Sequence, residues 1–95
     1  MNSKQRSKLR SLAHHLKPVV FVGKAGVTTG TITSISKALD VHELIKVKFS
    51  QNKKSKQDLA DRVEQELSAF IVGGIGHTLI IYRAQEDVEK RNYNI

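Results

Sequence analysis

The chain has 95 residues, 39% of them hydrophobic, and a formal net charge of +7, which suits one domain with a modest core and leaves no room for two. It contains no cysteine, which excludes disulfides and thiolate metal sites and sets the expectation of a reducing, cytoplasmic location. No apolar run reaches the ~18 residues of a membrane span, and the basic N-terminus lacks the apolar stretch of a signal peptide, so a soluble, unexported chain is expected.

Residues 3–16 carry Leu9, Leu12, Ala13 and Leu16 at helical spacing, predicting a first helix with one core face and a basic remainder, Ser3 as N-cap and Pro18 as terminator. Residues 19–22 (VVFV) are β-branched and aromatic between Pro18 and Gly23, and predict a short buried strand. After Gly23-Lys24-Ala25-Gly26, the spacing of Ile32, Ile35, Ala38 and Leu39 predicts a second helix to about residue 39, capped by Thr28 or Thr29. Residues 44–49 alternate Ile45, Val47 and Phe49 with Lys46 and Lys48, a strand with a dry face and a basic, wet one.

Residues 50–56 have no apolar member and predict a loop, with a third helix from about Ser55 that places Leu59, Ala60, Val63 and Leu67 inside. Residues 70–72 and 78–82 predict two antiparallel strands around Gly73-Gly74-Ile75-Gly76-His77, whose glycines are expected to serve positive φ angles. Residues 84–95 predict a frayed or docked tail. The resulting class is α/β, in the order helix, strand, helix, strand, helix, strand, strand. A four-stranded mixed sheet with helices packed on it, its parallel pairs joined by right-handed crossovers, follows for a single domain over residues 1–95.

The charge is distributed unevenly. Residues 1–39 hold Lys4, Arg6, Lys8, Arg10, Lys17, Lys24 and Lys37 and no acid, whereas residues 40–95 hold nine basic and nine acidic side chains. The whole excess thus surrounds the GKAG loop, and clustered cations of this kind attract a polyanion. Glycines admit a nucleic-acid backbone closely, and the loop opens a helix whose first amides lack intrahelical partners. Gly23 and Gly26 supply access, Lys24 a mobile charge, and the amides from Val27 through Thr28 to Gly30 directional donors, as in the GXXG loop of KH domains. Lys4, Arg6, Lys8, Arg10, Lys17, Lys46 and Lys48 widen the expected footprint. Phe21, Phe49 and Tyr82 sit in strands and are read as core rather than as stacking platforms, so binding is expected to follow backbone and shape more than base sequence.

Other chemistries find little support. His14, His15, His42 and His77 have neither HxxxH nor HxH spacing, so no metal site is expected. Gly73-Gly74-Ile75-Gly76 opens a strand rather than a helix, unlike a dinucleotide loop, and no serine-histidine-acid set or cofactor motif is present. Neither an enzyme nor a cofactor is expected. A protein-interaction module docking on an acidic surface is the alternative, and an anionic-membrane binder is disfavoured because the first helix has no aromatic insertion residue.

The stretches KPVVFVGKAGVT at residues 17–28, ALDVHELIKVKF at 38–49 and IVGGIGHTLIIYR at 71–83 resemble, in this order, the CRM domain (chloroplast RNA splicing and ribosome maturation) in its single-domain YhbY-like bacterial form. The resemblance implies a fold similar to the C-terminal domain of translation initiation factor three. It also implies RNA binding through Gly23, Lys24, Ala25 and Gly26, and association with precursor large ribosomal subunits. Beside the loop it implies a basic surface drawing on the first helix and on Arg83. The family often has a larger polar or basic residue at position 25, so Ala25 leaves that phosphate contact to the backbone. RNA is therefore the expected partner, with docking on an acidic ribosomal or assembly-factor surface as the alternative; a monomer without a small-molecule substrate is expected.

Overall fold

In a computed structural model, residues 1–50 and 53–93 are described. Helix α1 spans Ser3–Ala13 and is capped by Asn2 rather than Ser3. Asn2 Oδ1 accepts from the Gln5 amide at 2.8 Å and Gln5 Oε1 from the Asn2 amide at 3.0 Å, a reciprocal pair that satisfies two otherwise orphaned donors. The helix ends three residues before the expected limit, and Leu12, placed on its core face by spacing, is exposed. Leu9 and Ala13 carry its burial.

Strand β1 is Val20–Val22, α2 is Thr29–His42 and β2 is Leu44–Phe49. Helix α3, Lys53–Glu66, starts before Ser55, and its cap position falls outside the described residues. Its first turn is wholly polar, so apolar periodicity could not locate that start. Strands β3, Phe70–Ile75, and β4, Thr78–Tyr82, are joined by Gly76 and His77, and a short 3-10 helix, Val88–Lys90, lies in the tail.

The sheet order is β1-β2-β4-β3. β1 and β2 are parallel, with α2 as crossover, while β4 is antiparallel to both β2 and β3. Among the described residues one parallel pair is hydrogen-bonded, because β4 inserts between β2 and β3.

Two clusters form the core, one on each sheet face. Ile32, Ile35 and Leu39 of α2, with Leu59 and Val63 of α3, pack on Val20, Val22, Ile45, Val47, Phe49, Leu79 and Ile81. On the other face, Leu9 and Ala13 of α1 cover Leu44, Val72, Ile80 and Tyr82. One helix is too narrow for four strands, so the β1 end of this face stays open. Phe21, expected in the core, points there and is 69% exposed, next to exposed Val19. The alternation of β1 puts Val20 and Val22 on the doubly covered face and leaves Phe21 on the opposite one.

The glycines of β3 have a different origin from the one expected. Only Gly76 has a positive φ, +56°, in the turn. A Cβ at Gly73 would stand 2.5 Å from Arg10 Cδ, and one at Gly74 3.1 Å from Lys56 Cε. Bare backbone lets Arg10 of α1 cross one side of β3, donating to the Val72 carbonyl at 2.9 Å, while Lys56 of α3 crosses the other and donates to the Gly76 carbonyl at 2.9 Å.

The tail is docked. Tyr93 meets Tyr82 edge to face with ring centroids 6.3 Å apart, and two backbone amides of the tail reach the buried Glu43 carboxylate.

Candidate nucleic-acid interface

The GKAG loop leaves β1 where the Val22 carbonyl is held by the Ser50 amide at 3.0 Å and the Ser50 hydroxyl at 3.2 Å. The Gly26 amide then donates to the Gly23 carbonyl at 3.0 Å, closing a β-turn with Lys24 and Ala25 at its exposed tip. Gly26 has φ +74°, a conformation that disfavours any side chain. Gly23 differs: its φ is not positive, and an added Cβ would meet nothing within 4 Å. Nothing among the described residues requires glycine at position 23.

Thr28 caps α2 through a reciprocal pair with Thr31. Each hydroxyl accepts from the other residue's amide, at 3.2 and 3.3 Å. Of the first amides of the helix, those of Thr29 and Gly30 meet no acceptor among the described residues, and they stand exposed just beyond the loop. Lys24, a flexible cation, and two free donors at the positive end of a helix dipole thus border an accessible backbone.

The other expected basic residues do not all gather here. Lys4 and Lys8 are exposed on α1, against the sheet face opposite α2 and α3, and Lys17 is exposed in the connector to β1. Arg6 and Arg10 face the β3 side, where with Lys56 and Gln57 they line an open cavity of about 450 Å³. Lys46 is half-buried with Nζ 3.4 Å from the His14 carbonyl at the end of α1, whereas Lys48 is exposed. These residues occupy at least two sides of the molecule.

Arg83 is a structural clamp more than a surface cation. Its guanidinium donates to the Leu67 carbonyl (3.1 Å), the Ser36 carbonyl (2.9 Å) and hydroxyl (3.2 Å), and Asp40 Oδ1 (2.8 Å), joining α2 to the end of α3. With these donors engaged, Arg83→Ala is expected to lower stability by about 2 kcal/mol and to leave the salt dependence of RNA binding unchanged. Urea unfolding paired with a salt titration checks both; a flattened salt slope in a fully stable variant would return Arg83 to the interface.

Arg62, beyond reach of any motif, also holds the loop: Nη1 donates to the Val27 carbonyl at 3.3 Å while Nε pairs with Glu66 at 2.6 Å. The hydrogen bond from Arg62 keeps the Glu66 carboxyl below the usual carboxylate range. A depressed carboxyl stabilises the fold above its unfolded value and ceases to do so as pH falls through the folded one, though solvent makes the effect small. Among the described residues no helix is long and apolar enough to cross a membrane.

Residues 1–83 match the CRS1 / YhbY (CRM) domain family model. The chain is 41% identical over 90 residues to a Haemophilus influenzae protein named "RNA-binding protein", covering 94% of this chain and 91% of that one. It is 39% identical over 88 residues to the Bacillus subtilis protein named "Probable RNA-binding protein YqeI", covering 92% of each. The solution structure of SAV1595 from Staphylococcus aureus superposes with a TM-score of 0.80 at 32% identity over 99% of both chains. A family model spanning the GKAG turn and nearly all of the fold, and relatives alike along almost their whole length, place the chain in the CRS1 / YhbY (CRM) domain family, to which it belongs.

Proposed function

We propose that the protein binds RNA through the GKAG loop, and that its target is ribosomal RNA of the precursor large subunit during assembly. The observation that carries this reading is Gly23, a glycine that neither backbone angle nor neighbouring atoms demand. Its bareness serves an incoming backbone, beside exposed Lys24 and the amides of Thr29 and Gly30, which meet no acceptor among the described residues. The names of the relatives, "RNA-binding protein" and "Probable RNA-binding protein YqeI", support the class of ligand. In this reading the protein acts as a cytoplasmic monomer without cofactor or turnover. Gly23, Lys24, Ala25, Gly26 and Thr28 form the grip, and Lys8, Lys17 and Lys48 extend it.

The test is salt-dependent binding to a large-subunit ribosomal RNA fragment and to a length-matched unrelated RNA. Both should show affinity falling steeply with salt, since phosphate neutralisation releases counterions, and the ribosomal fragment should bind more tightly. Equal affinities would remove the ribosomal assignment. Capture of precursor particles that survives nuclease treatment, without binding to either RNA, would favour docking on an acidic protein surface.

A further inference from the structure

The open part of the α1-side sheet face has a composition of its own. In register across all four strands lie Phe21, Lys48, Thr78 and Ile75. Phe21 is 69% and Ile75 82% exposed. With strands about 4.8 Å apart, the row spans roughly 15 Å. It adjoins a cavity of about 300 Å³ whose apolar walls include Leu16, Pro18 and Ile80, with Arg10 and Lys46 among the polar ones. No acidic side chain belongs to the row or lines this cavity.

An exposed phenyl ring with a lysine as its cross-strand neighbour has two complementary properties. The ring offers a flat apolar surface to a base, which any base can use because each has a π-face. Lys48 and Lys46 offer charge to the phosphates that link such bases. An acidic protein would match the lysines but leave the large apolar surfaces of Phe21 and Ile75 unused. A neutral apolar partner would bury the lysines without compensation. Single-stranded nucleic acid matches both.

The platform also lies beside the loop: Phe21 precedes Gly23 by two residues in the strand that delivers it. A backbone gripped at the loop therefore passes this face directly. We infer that the open sheet face is a base-stacking platform on which Phe21 takes an unpaired base of the RNA held by the GKAG loop. The inference rests on the RNA-binding reading above, and it gives exposed Phe21 the stacking role that its expected place in the core had denied it.

The experiment compares the parent chain with Phe21→Ala and Phe21→Trp, titrated with a mixed-sequence single-stranded RNA decamer and with an abasic decamer of the same ribose-phosphate backbone. Phe21 is mostly outside the core, so both variants should fold, as circular dichroism will verify. Phe21→Ala should bind the base-bearing strand about tenfold more weakly and the abasic strand as the parent does. Phe21→Trp should keep parental affinity. Because the chain has no tryptophan, the introduced indole reports directly, and the base-bearing strand should quench it while the abasic strand does not.

Parental affinity of Phe21→Ala for both strands, equal losses on both, or equal quenching by both would overturn the platform and leave the loop reading standing. Failure of the parent to bind either strand at low salt would overturn the RNA reading itself, and the platform with it.

Discussion

Replacing Gly23 with Asp and Lys24 with Glu together is expected to lower RNA affinity by about a hundredfold, with the fold unchanged. The fold is spared because Gly23 has no positive φ and no atom within 4 Å of an added Cβ, and Lys24 is exposed at the turn tip. Surface changes of this kind normally shift stability by less than about 0.5 kcal/mol. At the interface, the charge at position 24 reverses sign and a new negative charge appears at position 23. Removal of a charge-assisted hydrogen bond to phosphate and the new repulsion contribute about 1.4 kcal/mol each, and every 1.4 kcal/mol is tenfold.

The salt slope should flatten by about 0.7 for each single-strand phosphate that the variant no longer neutralises. Lys24→Ala alone should weaken binding about tenfold, and by a similar factor on different RNAs, as expected of a residue that touches phosphate rather than a base. Measured isotherms at several salt concentrations decide the matter. A folded double variant with parental affinity and slope would reduce Gly23 to a turn residue and direct the search to a protein partner.

Much of this molecule is legible in its sequence, for identifiable reasons. Ile32, Ile35 and Leu39 repeat at helical spacing because α2 buries one face, and Ile45, Val47 and Phe49 alternate because they share the doubly covered face of β2. The GKAG turn is legible because its glycines fall between two such patterns. The exposure of Phe21 is not, since a three-residue strand with apolar residues on both faces does not reveal which face a helix covers. That depends on α1, whose Leu12 is equally misplaced by spacing alone.

Gly73 and Gly74 show a related limit. Their spacing resembles turn chemistry, yet they accommodate Arg10 and Lys56 from distant helices. Long-range partnerships of this kind leave no local periodicity. Arg83 follows the same rule: its hydrogen bonds to Ser36, Asp40 and Leu67 join distant elements and leave no trace in the local sequence.

Glu43 is the residue furthest from any pattern, and its replacement should have the largest effect on stability. It is fully buried, follows α2 and takes φ +64°, a conformation that few side chains adopt without strain. Its amide donates to the Leu39 carbonyl and its carbonyl accepts from the Arg83 amide, both at 2.9 Å. The carboxylate accepts from the Gln85 amide at 3.2 Å and from the Asn92 amide, so a single side chain anchors the tail at two points. The hydroxyl of neighbouring Tyr82 is pushed above the usual phenol range, first by burial and then by the Glu43 charge.

Glu43→Leu keeps a similar volume and the strained φ but removes both acceptors. Two amides are then left without charge-assisted partners worth about 1.5 kcal/mol each, for a total of about 3 kcal/mol, or roughly 12–24 °C in Tm for a domain of this size. Urea unfolding should register the destabilisation, and hydrogen exchange should show the Gln85 and Asn92 amides unprotected. Tyr93 of the tail packs on Tyr82, so release of the tail should also bare part of the α1-side cluster, while RNA affinity at the GKAG loop stays parental. A destabilisation below about 1 kcal/mol, or continued protection of both amides, would mean that the tail is held by its apolar contacts and that the buried carboxylate is incidental to its docking.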